Sequence, residues 1–267
     1  MFSSKHLSVV TLKNHLSAIR QPFFDLTGLS VDPLDERAFL RACFRIRPPP
    51  RQLVPQWSLQ RVLALLKTRR FSPATASPLS LLRKALFLMA LATGDRVPEL
   101  AAMSRHRNCL RFAPLLASVS IAPDPQFIAK NEHINHIFTP FEVPALKRGC
   151  QHHALCPVKS LHTYMAGSDP VDPTHLWVSS TTGQRLHKRR ISVLLASVIK
   201  EAHPGVVAKC HDIRKWASTL RFLRNCSLDD IAQTELWSSN YTFLSRYLAL
   251  GLDIPHTPCI ALRTRIS

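Results

Sequence analysis

Residues 77–100 read SPLSLLRKALFLMALATGDRVPEL. The stretch begins with a serine that can cap a helix, continues through a mostly apolar run and reaches Gly94, a residue that favours a helix end. Because apolar residues occupy every side of this helix, the sequence predicts that it is buried in the core of a domain. The backbone just beyond Gly94 is then fixed, and the side chain of Arg96 can project from it.

Apolar residues recur with helical spacing on both sides of this stretch, and in a short region after it they alternate with a period of two. Helices are predicted at residues 8–20, 35–44, 58–70, 98–103, 156–165, 188–203, 211–225, 227–236 and 240–250. Strands are predicted at residues 117–121, from residue 127, at residues 133–144 and at residues 176–180. The predicted fold class is therefore mainly α with a small antiparallel β-ribbon (α+β).

The segment RPPPRQLVP at residues 47–55 contains four prolines and cannot lie inside a helix or a sheet. It predicts an extended linker, with a domain boundary at residues 47–56. The chain then divides into a small helical part at residues 1–46, a main domain at residues 57–250 and a C-terminal tail at residues 251–267.

Charge is the strongest compositional signal. The 35 Lys and Arg residues exceed the 17 Asp and Glu residues by 18, and the excess is spread along the chain. This distribution is typical of a surface that binds a polyanion such as nucleic acid. The composition excludes collagen-like and generic disordered proteins. The longest apolar stretch, residues 85–93, is too short to cross a bilayer, and the N-terminus does not resemble a secretory signal, so we expect an intracellular protein without membrane partners.

The seven cysteines are scattered, and in an intracellular protein we expect them to be reduced. The densest cluster comprises Cys150, His152, His153 and Cys156 in the segment CQHHALC. These side chains are compatible with zinc, but the segment lacks the paired short-spaced halves of a structural zinc site. The sequence therefore predicts no metal site, and Cys156 is expected to begin a helix.

Several residues could together carry out phosphoryl transfer on DNA without a metal ion. Such chemistry needs an arginine pair for the phosphoryl oxygens, a nucleophile, and an acid for the leaving 5′ oxygen. Arg96 follows the buried helix, and His211 and Arg214 in HDIRKW lie one helical turn apart. Trp237 and Tyr247 follow near the end of the main domain.

These segments resemble the tyrosine recombinase (phage integrase) family, whose signature is Arg, a β-hairpin Lys, HxxR, His or Trp, and then Tyr. The pattern TGxRxxEL matches at residues 93–100, HxxR at residues 211–214 and WSSxxTFxxxYL at residues 237–248. The last pattern and LCPVKSL at residues 155–161 look most like recombinases of DIRS- and Crypton-type mobile elements of eukaryotes. The resemblance covers roughly residues 55–250 and implies the family's catalytic-domain fold. Residues 8–46 are similar to the tail of its helical core-binding domain, which implies that the chain starts partway through that domain.

The resemblance implies roles for four of the candidates at the phosphate. Arg96 and Arg214 would bind the phosphoryl oxygens with their planar guanidinium groups. His211 would assist proton transfer and help to hold the phosphate. Trp237 would donate its indole N–H to a phosphoryl oxygen and pack beneath the site.

The nucleophile implied by the resemblance is Tyr247, whose phenol needs the field of two arginines to react at neutral pH. Tyr241 is the competing tyrosine, but only Tyr247 precedes the leucine of the family pattern. Lys130, near a predicted hairpin tip, would protonate the leaving 5′ hydroxyl, and Lys147 is the alternative. Glu99 is expected to be a structural carboxylate paired with a basic neighbour, because an isolated buried carboxylate is costly.

The implied activity is DNA strand cleavage and rejoining through a 3′-phosphotyrosyl intermediate, without a metal or nucleotide cofactor. Its partners would be double-stranded DNA and further copies of the chain in a homo-oligomer on that DNA. The mobile-element resemblance implies action in the nucleus. Two alternatives stay open: a catalytically inactive DNA-binding protein derived from a mobile element, and a type IB topoisomerase, which shares the chemistry but acts as a single protomer.

Overall fold

A computed structural model of the chain describes residues 7–46, 55–128, 140–146, 153–234, 262 and 264–265. Contacts within the chain divide it into two units, Met1–Gln52 and Leu53–Ser267. The division falls inside the proline-rich segment RPPPRQLVP.

The first unit contains two helices, α1 (Val9–Thr27) and α2 (Pro33–Ile46). Ser8 caps α1 through its hydroxyl, and the helix runs past the predicted end at residue 20, through Pro22. The two helices contact each other, but α2 has no buried residue. Large apolar side chains of both helices therefore stay exposed.

The second unit is built around seven described helices. They are α3 (Leu59–Leu66), α4 (Pro78–Thr93), α5 (Val97–Ala102), α6 (Pro157–Ala166), α7 (Lys188–Ala202), α8 (His211–Leu223) and α9 (Leu228–Thr234). The central helix is α4, which lies against α6, α7 and α8. Every residue from 82 to 93 is buried, as its apolar composition predicts. This packing fixes the end of α4 from several sides.

A small antiparallel sheet contacts α6 through its third strand. Its strands are β1 (Leu110–Phe112), β2 (Ser118–Ile121), β3 (Phe141–Pro144) and β4 (Thr264–Arg265), and they pair in that order. Val119 lies opposite Val143 and Ile121 opposite Phe141, and all four side chains are buried on one face. The predicted combination of helices with a small antiparallel ribbon is confirmed.

The described strands differ from the predicted ones at several places. The structure adds β1, which is too short to show a period of two. The strand expected from residue 127 is wrong at Phe127 and Ile128, because Asp124 organises a turn there and accepts the Phe127 amide through its carbonyl. Of the strand predicted at residues 133–144, β3 forms the last part, and residues 133–139 lie outside the described residues.

The strand predicted at residues 176–180 is also wrong. Val178 forms only an isolated bridge with Arg185. The apolar side chains of this segment pack into the helical core instead, where Trp177 stacks on Tyr164 with ring centroids 5.5 Å apart. Residues 176–178 thus have the composition of a strand and are buried, but they are not part of the described sheet.

Along the described residues, no helix is both long and apolar enough to cross a membrane. Within the same ranges, the His, Cys, Asp and Glu side chains form no cluster of three that could hold a metal ion. Cys150 and His152 lie outside the described residues. Cys156 is fully buried and precedes α6 as its N-cap residue, where the sequence predicts the start of a helix.

Candidate active site

The turn that carries Arg96 follows directly from the end of α4. Gly94 adopts a left-handed conformation with φ of 70°, and its N–H donates to the Ala90 carbonyl at 3.0 Å. The Asp95 N–H then donates to the Thr93 hydroxyl at 3.2 Å. Arg96 is the N-cap residue of α5, so a tight, hydrogen-bonded turn determines where its side chain begins.

A buried arginine of α8 reinforces this turn. Arg221, 3% exposed, donates from Nη2 to the carbonyls of Ala92 and Thr93 at 2.9 and 3.1 Å. The last carbonyls of a helix have no partners within the helix and carry partial negative charge. A guanidinium group supplies both the hydrogen bonds and the opposite charge. Arg221 therefore ties the end of α4 to α8.

Glu99 brings the two predicted arginines together. Its Oε2 accepts the Arg96 backbone N–H at 2.7 Å, and its Oε1 accepts Nη1 of Arg96 at 2.9 Å. Nη1 of Arg214 lies 3.7 Å from Oε2. The side chains of Glu99 and Arg214 are only 6% and 2% exposed, whereas that of Arg96 is 23% exposed. The expected pairing of Glu99 with basic neighbours is confirmed.

His211 begins α8 one turn before Arg214, and its side chain is exposed. Partial shielding from water lowers the pKa of His211, and the nearby charges of Arg214, Lys215 and Arg96 lower it further. The Asp212 carboxylate acts in the opposite direction. The imidazole is therefore neutral at pH 7 and able to accept a proton.

The structure thus brings together three of the six predicted site residues, Arg96, His211 and Arg214. The other three, Lys130, Trp237 and Tyr247, lie outside the described residues. So do the alternatives, Lys147 and Tyr241.

The chain has three tyrosines, of which the structure describes Tyr164. Its side chain is buried, and its hydroxyl accepts the Val178 N–H at 2.9 Å and donates to the Leu176 carbonyl at 3.1 Å. Burial also raises the pKa of Tyr164. This tyrosine is structural, which leaves Tyr241 and Tyr247 as candidate nucleophiles.

The beginning of α7 is strongly basic, as the sequence predicts. Lys188, Arg189 and Arg190 form its first turn and are all exposed, and Arg185 is exposed just before them. His187 caps the helix by accepting the Arg189 N–H at Nδ1, 3.4 Å away. Three cations at a helix N-terminus oppose the helix dipole, so an anion bound there would remove an unfavourable interaction.

Sequence reasoning missed Arg221 and the ion pair of Lys215 with Asp212, whose atoms Nζ and Oδ1 lie 3.4 Å apart. The available signal was helical spacing. Arg221 follows Arg214 by seven residues, which is two turns, so both side chains lie on the same face of α8.

Comparison with solved structures shows which fold this is. The chain matches a XerH site-specific recombinase bound to difH substrate in a pre-cleavage complex, with a TM-score of 0.50 and 14% identity, over 90% of this chain and 66% of the XerH chain. It also matches a XerA recombinase (TM-score 0.48, 16% identity, 94% of this chain and 74% of the other). A third match is a lambda integrase dimer bound to a COC′ core site (TM-score 0.48, 10% identity, 94% of this chain and 67% of the integrase chain).

No protein-family model and no curated protein sequence matches the chain. The XerH match shows that the chain has the fold of the tyrosine recombinases. It shows the fold alone, because the identity is low.

Proposed function

We propose that this chain binds double-stranded DNA and cleaves and rejoins its strands through a covalent bond between Tyr247 and a DNA phosphorus. The observation that carries the proposal is the convergence of Arg96 and Arg214 on the single carboxylate of Glu99, with His211 close enough to respond to both arginines. Two guanidinium groups and an imidazole in one place are suited to a phosphate whose charge increases during reaction. The fold shared with XerH supports the same conclusion.

The proposed reaction exchanges one phosphoester bond for another and needs no cofactor. The phenolic oxygen of Tyr247 attacks phosphorus, the bond from phosphorus to the 5′ oxygen breaks, and a 3′-phosphotyrosyl link forms. The phenolic proton passes to His211, which is neutral, and Lys130 gives a proton to the leaving 5′ oxygen. Attack by a 5′ hydroxyl reverses the step and releases Tyr247. Trp237 would donate its indole N–H to a phosphoryl oxygen.

Exposed cations near the site would contribute general affinity for DNA. The net charge of +18 and the four exposed cations at residues 185–190 suit a surface that contacts several phosphates. Arg185 reaches toward α5, with Nη2 3.5 Å from the Ala101 carbonyl. Since Arg96 caps the other end of that short helix, this basic segment lies near the proposed scissile phosphate.

Recombination would also require copies of the chain to meet on DNA. Exchange joins strands from two duplexes, so each duplex needs at least one protomer. We therefore propose a homo-oligomer that assembles on DNA. The proposed setting is a nuclear genome, in keeping with the sequence resemblance to mobile-element recombinases.

A second candidate function is DNA binding without cleavage. The observation that favours it is the burial of Arg214, whose side chain is 2% exposed and therefore beneath the surface of this structure. A phosphate would have to displace neighbouring groups to reach it. A protein descended from a recombinase could keep the fold and the basic surface and still make no covalent bond.

Covalent capture separates the two functions. The chain is incubated with a nicked suicide duplex, from which the cleaved end diffuses away, and the products are separated under denaturing conditions. We expect a protein–DNA adduct that disappears in Tyr247→Phe and persists in the matched control Tyr241→Phe. An adduct lost only in the control would move the nucleophile to Tyr241.

Absence of any adduct, together with retained duplex binding, would favour the binding function. Relaxation of a supercoiled plasmid by single protomers, without a requirement for paired sites, would instead indicate a topoisomerase.

A further inference from the structure

The short turn that carries Arg96 is held from both sides by α8. Before the turn, Arg221 binds the carbonyls of Ala92 and Thr93. After the turn, Arg214 lies 3.7 Å from the Glu99 carboxylate, which in turn binds Arg96. Residues 94–96 therefore lie between two attachments to one helix.

The two attachments share a face of α8. Arg214 and Arg221 are seven residues apart, which places them about 10 Å apart along the helix axis and on the same side. Arg221 is 3% exposed, so it does not reach solvent or a ligand directly. Its hydrogen bonds to Ala92 and Thr93 satisfy carbonyls that the end of α4 leaves without intrahelical partners. Through these bonds Arg221 can influence chemistry by setting the position of the turn.

We propose that Arg221 is a positioning residue that fixes the turn at residues 94–96 and so aligns Arg96 with His211 and Arg214. This inference rests on the proposed DNA cleavage and adds a residue to it. Without Arg221, the Ala92 and Thr93 carbonyls lose this donor, while the contact between Arg214 and Glu99 remains. A shift of about 1 Å in a catalytic group can slow a reaction about 100-fold.

The test compares two buried arginines. In the full chain, Arg221→Met removes the proposed contact, and Arg83→Met is the matched control. Arg83 is also buried; near the opposite end of α4 it binds the Glu201 carboxylate at 2.7 Å and lies over the Phe71 ring, 5.7 Å from its centroid. Rates of adduct formation are measured on the nicked duplex at saturating protein, duplex affinity by fluorescence anisotropy, and stability by thermal melting.

We expect Arg221→Met to slow adduct formation about 100-fold while duplex affinity changes less than about twofold. Arg83→Met should keep the wild-type rate below its melting temperature. Arg221→Lys keeps a cation near the two carbonyls and should restore much of the rate. A wild-type rate in Arg221→Met, or equal losses of rate and affinity in both Met variants, would overturn the inference. If Arg221→Met does not fold, Arg221→Lys is compared with the wild type instead: its rate should be lower but not abolished, because an ammonium group cannot reproduce the planar guanidinium. A rate equal to that of the wild type would then overturn the inference.

Amide hydrogen exchange distinguishes failure of this inference from failure of the proposed function. If the wild-type chain forms no adduct, the proposed cleavage fails, but the turn can still be examined. Exchange of the Gly94 and Arg96 amides should be faster in Arg221→Met than in Arg83→Met. Equal exchange in the two variants would show that Arg221 does not fix the turn.

Discussion

Replacing Glu99 by Gln keeps the size of the side chain and removes the charge that Arg96 and Arg214 share. Removing one partner from a buried ion pair costs about 3–5 kcal/mol, because the remaining charge stays buried. The amide oxygen of Gln can still accept one hydrogen bond, and Arg96 is partly exposed, so we expect about 3 kcal/mol. For a unit of this size, that lowers the melting temperature by about 6–12 °C.

The chain offers a control with the same change in net charge. Glu201 also binds two arginines, with Arg83 and Arg70 each at 2.7 Å, but it lies away from the site and is 22% exposed. Glu201→Gln should cost about 1–2 kcal/mol. Only Glu99→Gln should slow adduct formation, by about 100-fold, because only this variant frees the arginines to move.

Calorimetry or thermal melting of the full chain measures the loss of stability, and the nicked-duplex assay measures the rate of adduct formation. A Glu99→Gln variant with the melting temperature of the wild type would refute the argument that this carboxylate balances the charges of Arg96 and Arg214. Equal loss of adduct formation in both variants would show that the effect is general destabilisation.

Three further predictions concern charge. Burial lowers the pKa of Lys84 to about 8, so the protonated side chain is disfavoured in the folded chain. The free energy of unfolding should therefore rise by up to about 3 kcal/mol between about pH 8 and pH 10, as the folded state releases this proton. Denaturant titration should show this rise in the wild type and not in Lys84→Met. In the free chain, the pKa of His211 should lie below its usual value. NMR titration should show that this pKa rises when a DNA duplex binds, because the phosphates offset the charge of the nearby cations. An unchanged pKa would show that the duplex binds elsewhere. Lys188→Glu should stabilise α7 by about 0.5 kcal/mol yet weaken duplex binding, reducing the slope of log K against log salt by about 1; an unchanged slope would show that α7 does not contact phosphates.

Local signals were sufficient for the parts of the molecule that depend on neighbours in the chain. The apolar run before Gly94 predicts a buried helix, and α4 is one. The spacing of His211 and Arg214 places them on one turn of α8, as observed. Glu99, three residues after Arg96, was expected to pair with a basic neighbour, and it binds two.

Contacts between distant segments could not be predicted in this way. Arg221 binds carbonyls near residue 93, and no pattern within α8 indicates which helix end it reaches. The segment at residues 176–180 has the composition of a strand, but strand formation also requires a partner at the right place, and the helical core takes its side chains instead. Lys130, Trp237 and Tyr247 stay predictions.

The enclosure of α4 restricts how its sequence can vary. A surface helix has a polar side where substitutions are nearly neutral, but residues 82–93 have no such side. Acceptable replacements there must conserve volume, or occur together with a compensating change in α6, α7 or α8. Because the turn that carries Arg96 continues from the last residue of this helix, a change in the packing of the interior would move the proposed site. Selection for the proposed chemistry would therefore also act on residues deep inside the protein.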